Sequence, residues 1–447
     1  MSNDSGGSGK KMLSFTDCMS MAIGQIIGSG IMVLTGVVIG LTGHGTILAF
    51  ILGAVVALCN AFPFLVLHSS IPAKGAAYTY ASRLLGEKMG FFYLGMFVLS
   101  QILIATFAKG FASYFVQIFP MFNETVVAIL ALSIAVILNI VGLKSSALIQ
   151  NLMVAGLLIS LALFAAFGLP QVQWSNLVIT VDNMAPNGIK NFLIGVALLS
   201  FACGGAKYIA ENADAIPNPS RTIPKVVIIS TLLVAVFYAL VGIVAAGVLP
   251  IEAVAYQNLT MVARQIFPPW LYIFFVVGGA MFALFTTLNG TLSWVTRGLQ
   301  VSATQGWIPE RCAKENKAGT PVILLLVFFV VGAIPIVTGM DLTAIANMGV
   351  GTDVLTEFVI LVACWQLPKK YPEALKNSMF HISERTLKII LTFIGIIMLG
   401  TSYVNLADLQ PINYLCLGVY LAVLFVFTQV RHKHVVKKRE ALAAAEK

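Results

Sequence analysis

Twelve apolar windows of about twenty residues, joined by short polar connections, leave this chain few ways to fold. They lie near 15–41, 46–69, 90–119, 124–142, 146–169, 190–212, 224–249, 270–303, 320–339, 342–366, 386–405 and 410–430. Each is long enough to cross a hydrocarbon layer of about 30 Å as a helix. Inside lipid every backbone N–H and C=O needs an internal partner, so such windows cannot be loops or open strands. The composition agrees, at 59% hydrophobic and 10% charged residues, against about 25% charged in an ordinary soluble domain. The expected fold class is an all-α polytopic membrane protein with 12 transmembrane helices. No soluble domain fits between the windows, since the longest connections are near 170–189, 250–269, 304–319 and 367–385. Residues 1–12 are expected as a cytoplasmic N-terminal tail, 13–431 as the membrane domain and 432–447 as a basic cytoplasmic tail.

A net charge of +9 would point to nucleic acid in a soluble protein. Here its placement decides. With the N-terminus in the cytoplasm, Lys109 and Lys207 fall within spans and Lys190 and Arg264 fall outside. Every other Lys and Arg then lies on the cytoplasmic side. That asymmetry puts both termini in the cytoplasm of a multi-pass protein of the cell (plasma or inner) membrane, with lipids and not nucleic acid as the partner of the basic tail. Residues 1–11 lead without a small-residue cleavage site into a span too long for a signal peptide, so the first helix is expected to direct its own insertion. The six cysteines (Cys18, Cys59, Cys203, Cys312, Cys364, Cys416) show no C-x-x-C spacing and read as packing residues, with neither disulfide nor metal. His44, His68, His381, His432 and His434 lie in loops or near span ends without Cys, Asp or Glu at ligand spacing. An enzyme and a cofactor are therefore not expected.

The first window holds Gly24-Gln25-Ile26-Ile27-Gly28-Ser29-Gly30-Ile31-Met32. Each glycine costs roughly 1 kcal/mol relative to alanine in a helix interior, so Gly28-Ser29-Gly30 marks a break. Peptide groups freed in mid-membrane must line a cavity and meet something polar. Close helix packing at small residues is the alternative for one such stretch. The sixth window repeats it, with Ser200-Phe201-Ala202-Cys203-Gly204-Gly205-Ala206, then Lys207 and Glu211, before Pro217-Asn218-Pro219 ends the element. Breaks at positions 1 and 6 predict two inverted five-helix repeats (helices 1–5 and 6–10) with helices 11–12 appended, and a central site between them. Amides of Gly28, Ser29, Gly30 and Ile31 would face a carboxylate. Carbonyls freed around Ile26, Phe201, Ala202 and Gly204 would face an ammonium. A zwitterion fits both.

Four segments carry a resemblance. Ile27-Gly28-Ser29-Gly30-Ile31-Met32 is similar to I-G-S/T-G-I-F, with Met32 for the usual Phe; residues 72–80 fit an inner loop of the same proteins. Asp214-Ala215-Ile216-Pro217-Asn218-Pro219-Ser220-Arg221-Thr222-Ile223-Pro224 resembles E-E-x-x-N-P-x-R-x-I-P with one acid kept. Arg297 to Pro309, followed by Gly319-Thr320-Pro321, resembles R-x-L-x-x-x-A-x-x-G-x-x-P and G-T-P. Together they resemble the amino acid/polyamine/organocation superfamily, specifically its amino acid permeases, over nearly the whole chain. The resemblance implies a LeuT-like fold working by alternating access, an amino acid held between broken helices 1 and 6, and Phe201 closing over it as a gate. Gln25 is placed to touch the substrate side chain, and the small residues Ala202, Cys203 and Gly204 leave room for a medium one.

The departures concern charge. Leu157 stands where many members carry a lysine in place of Na+. Lys207 stands where an acid is common, and Asp353 and Glu357 where the family is apolar. A charge in mid-span costs at least about 2.5–3.5 kcal/mol, so these should face inward and pair. Lys207 with Glu211, and Lys109 with Asp353 or Glu357, are the expected pairs, read either as a proton-sensitive coupling network or as structural ion pairs. Thr286, Thr287 and Ser293 offer hydroxyls to Na+, though such hydroxyls commonly bond their own backbone. The expectation is a secondary transporter of amino acids, neutral ones favoured because Lys109 and Lys207 oppose a cation, coupled to H+ rather than Na+ or working by exchange. It would act as monomer or homodimer. A polyamine or organic-cation carrier of the same fold and a non-transporting sensor are the alternatives.

Overall fold

The structure, a computed structural model, describes residues 12–32, 34–178, 180, 183–407 and 411–445. The side chains of 29, 143–145, 343, 346, 347, 405 and 437–445 are outside that description. The described residues contain helices and no strand. The first window becomes α1 (Phe15–Ile26), α2 (Ser29–Met32) and α3 (Leu34–Thr42), and the second becomes α4 (Thr46–Ser70). A short amphipathic α5 (Ala76–Leu85) precedes α6 (Glu87–Ser100), α7 (Leu103–Ile118), α8 (Glu124–Val141) and α9 (Leu143–Gly168). Next, α10 (Gly188–Cys203) passes into a 3-10 stretch, Gly205–Ala215, before α11 (Pro219–Gly247). Short α12 (Ile251–Val254) and α13 (Thr260–Ile266) lead to α14 (Pro269–Phe274), a π-helical stretch Phe275–Met281, α15 (Phe282–Trp294) and α16 (Arg297–Thr304). The rest comprises α17 (Val322–Val337), α18 (Leu342–Lys370), α19 (Pro372–Lys376), α20 (Glu384–Leu406) and α21 (Pro411–Ala445).

All twelve windows are helical. Ten helices among the described residues are long and apolar enough to cross a membrane, and α17 is a shorter apolar one. Two boundaries differ from expectation. The third window bends between α6 and α7 at Gln101 and Ile102, where the amide of Gln101 reaches the carbonyls of Phe97 and Val98. The last window continues past residue 431, so the basic tail up to Ala445 extends α21 as helix.

Local chemistry explains where elements start. Ser14 caps α1, its hydroxyl accepting from the Asp17 amide at 3.1 Å while the Asp17 carboxylate accepts from the Ser14 amide at 2.9 Å. That reciprocal pair satisfies two donors the helix start would leave bare. At the head of α11, Asn218 adopts a left-handed φ of 46° and Pro219 takes the first helical position, where proline loses nothing because its missing N–H has no intrahelical partner. On α8, Val126, Leu130, Ile134, Ile137 and Val141 are all more than half exposed. Their three- and four-residue spacing is one helical face turned to lipid. Inside, α1 packs against α9, α11, α15 and the 3-10 stretch, and α4 packs against α10, α11 and α18. The two interrupted elements thereby sit at the centre.

Candidate functional site

α1 ends at Ile26 because Ile27 leaves helical geometry, with φ −81° and ψ 86°. The Gly28 amide, expected to face a carboxylate, instead closes a tight turn onto the Ile26 carbonyl at 3.0 Å. The same carbonyl accepts from the Tyr238 hydroxyl at 2.9 Å, and that hydroxyl lies 3.5 Å from the Ala202 carbonyl. One phenol on α11 thus ties both breaks. Thr287 on α15 donates to the Gly24 carbonyl at 2.8 Å. Past the turn, Ser29, Gly30 and Ile31 open α2, and the first amides of a helix have no intrahelical partner. The side chain of Ser29 lies outside the described residues.

The second break falls at Gly204, whose amide bonds the Phe201 carbonyl at 3.0 Å. Beyond it the chain resumes as a 3-10 helix. The breaks touch: a methyl group on Gly30 would lie 2.3 Å from the Cβ and 2.8 Å from the Cα of Ala202. One on Gly205 would lie 2.2 Å from the Gln25 carbonyl oxygen. Only glycine permits backbones this close. Between them lies a cavity of about 70 Å³, several times the ~10–15 Å³ that admits one water. Its walls include Gln25, Ile26, Gly28, Gly30, Phe201, Ala202 and Gly204. Ile31 and Cys203 are buried and do not line it.

Lys207, Asp353 and Glu357 also line the cavity, but the pairing differs from that expected. Lys207 forms its ion pair with Glu357 and lies over the rings of Phe64 and Tyr208, at 5.3 and 5.2 Å. Glu211 accepts from the Ala77 amide at 2.9 Å. The reason is the 3-10 geometry. At three residues per turn, i and i+3 eclipse and i+4 points about 120° away, so residues 207 and 211 do not share a face. Asp353 accepts from the Tyr208 hydroxyl, 2.8 Å from each carboxylate oxygen. Lys109 caps the Met340 carbonyl rather than meeting an acid. The hydroxyls considered for Na+ reach backbone: Thr286 and Thr287 lie 3.0 Å from the Ala283 carbonyl and Ser293 lies 2.6 Å from that of Gly290.

Sequence reasoning missed the far wall. Trp294 stacks on Tyr208 with centroids 4.3 Å apart and planes 6° off parallel, and its indole N–H donates to Gln25 at 3.2 Å. Gln25 in turn donates to Thr291 at 2.8 Å. Asn60, Gln101 and Phe107 also line the cavity. A polar Asn60 inside the otherwise apolar α4 was the available signal. Beneath the cavity, the Tyr80 hydroxyl bonds His68 Nδ1 at 2.8 Å. Burial, and then the charge of Glu211, push that phenol well above its ordinary pKa, so it acts there as a neutral group.

Comparison with known proteins matches this architecture. The chain is 28% identical over 308 residues to an uncharacterized protein of Methanocaldococcus jannaschii, covering 67% of this chain and 70% of that one. It is 26% identical over 394 residues to the branched-chain amino acid permease BcaP of Bacillus subtilis, covering 81% and 82%. It is 27% identical over 389 residues to the methylthioribose transporter of the same organism, also covering 81% and 82%. The amino acid permease family pattern matches residues 13–427, which take in both breaks, the cavity and the charged residues lining it, and the chain belongs to that family.

Proposed function

We propose that this protein moves amino acids across the cell membrane by secondary active transport with alternating access, by exchange or together with a proton. It does so with twelve spans, both termini cytoplasmic, and the first and sixth elements as counterparts in inverted repeats. The observation that carries the reading is the cavity where two interrupted helices meet, with Gly30 against Ala202. The opening amides of α2 suit a carboxylate, the carbonyls near Ala202 and Gly204 suit an ammonium, and Phe201 serves as the gate. The branched-chain specificity named for one relative supports an amino acid as cargo. The argument for neutral side chains weakens, because Lys109 bonds Met340 and Lys207 is paired with Glu357.

Counterflow into proteoliposomes preloaded with a mixture of alanine, serine, leucine, glutamate, arginine and ornithine tests this. Accumulation of at least one labelled amino acid from that set is expected, and accumulation of none would overturn the reading. Binding without flux would identify a sensor.

Tyr238→Phe is expected to raise the KM of uptake about two- to tenfold with little change in maximal rate. The lost hydroxyl bond is worth about 0.5–1.5 kcal/mol and holds the two breaks in register for substrate binding. An unchanged KM would remove Tyr238 from that role.

A further inference from the structure

The cavity is lined by more acidic side chains than basic ones. Among the described residues that line it, the charged ones are Lys207, Asp353 and Glu357. Glu357 takes Lys207 in a buried ion pair, with side chains 4% and 6% exposed. Asp353, 4% exposed, lies in the field of that lysine. Its close partner is neutral, the hydroxyl of Tyr208 at 2.8 Å. With Glu357 taking Lys207, Asp353 is left without a cation of its own among the described residues that line the cavity. Buried charge is tolerated when a counter-charge and hydrogen bonds meet it.

A second observation points the same way. Asn60, 7% exposed, lines the same cavity, and its Oδ1 has no hydrogen-bond partner among the described residues. A buried acceptor left bare costs free energy that a ligand N–H recovers. Trp294 and Phe107 line the same cavity, and aromatic faces attract cations.

Resting on the amino acid reading above, we propose that the substrate carries a second positive charge on its side chain, an amine that Asp353 neutralises and to which Asn60 offers its free oxygen. The zwitterionic end stays at the two breaks, and the side-chain amine lies toward α4 and α18.

The experiment is competition in proteoliposomes against labelled ornithine, with 2,4-diaminobutyrate, lysine, leucine, serine, glutamate and putrescine as competitors. Ornithine is expected to be taken up and the diamino acids to compete at least tenfold better than leucine or serine. In Asp353→Asn the uptake of ornithine falls at least about thirtyfold, the low end for removing one partner of a buried charge pair, while leucine uptake falls far less. Asn60→Ala lowers ornithine uptake less than Asp353→Asn does, and lowers it more than leucine uptake. Transport of leucine or serine with no response to diamino acids would overturn the proposal and leave amino acid transport standing. Equal loss of ornithine and leucine uptake in Asp353→Asn, in protein that elutes normally from a sizing column, would also overturn it. Putrescine competing as well as ornithine would uphold the role of Asp353 and overturn the cradle for the carboxylate.

Discussion

Gly30→Ala is expected to cut uptake to a few per cent of the wild-type rate or below. The added methyl would sit 2.3 Å from the Cβ of Ala202 and 2.8 Å from its Cα, closer than carbon atoms tolerate. The obstacle is the Cβ and Cα of Ala202, which no side-chain rotation moves, so the two breaks must separate. Overpacking of this kind costs about 1–3 kcal/mol of stability, an amount a large helical bundle survives. The transport cost is larger, since a misplacement of about 1 Å in a site held together by geometry can cost about a hundredfold. Gly30→Ala with Ala202→Gly removes the clash with the side-chain methyl but leaves the clash with the backbone of residue 202, so recovery should be partial. Gly418→Ala on α21 is the control, because nothing lies within 4 Å of a methyl there. Counterflow rates for the three variants, normalised to reconstituted protein, decide the matter. Full activity in Gly30→Ala would mean that the breaks do not meet this closely in the working protein.

The parts of this molecule legible from sequence are those governed by one local rule. Window length and apolar composition placed helix in each of the twelve windows, because lipid removes the alternatives that make soluble sequences ambiguous. Gly28, Gly30 and Gly204 located both breaks, because glycine is where a helix most readily yields. What resisted reading depends on how the chain resumes after a break. The i,i+4 spacing of Lys207 and Glu211 means a shared face in an α-helix and does not in the 3-10 stretch that follows Gly204. Once that rotation is known, Lys207 meets Glu357 on α18, and Glu211 meets the start of α5. Lys109 shows the same limit. Its place in a span predicts a partner, but nothing in the sequence says that a carbonyl, that of Met340, will serve. The π-helical stretch Phe275–Met281 and the stacking of Trp294 on Tyr208 are tertiary facts with no local signature.

Lys207→Met is expected to destabilise the protein by about 3–5 kcal/mol, the range for breaking a buried ion pair by removing one partner. The loss has three sources. Glu357 is left charged and buried at 6% side-chain exposure, Asp353 loses the nearby cation, and the rings of Phe64 and Tyr208 lose a charge at 5.3 and 5.2 Å. Glu357→Gln is expected to cost much less, because Lys207 keeps Asp353 as a counter-charge. Adding Glu357→Gln to Lys207→Met should therefore restore a substantial part of the loss, bringing the double variant above Lys207→Met alone. That ordering separates an ion pair from mere packing, since truncating two packing residues gives losses that add or worsen. Thermal inactivation half-lives of the purified protein in lipid nanodiscs without substrate provide the measurement. Lys207→Met matching the wild-type half-life, or the double variant falling below both single ones, would show that the lysine–glutamate pair does not hold α18 against the 3-10 stretch.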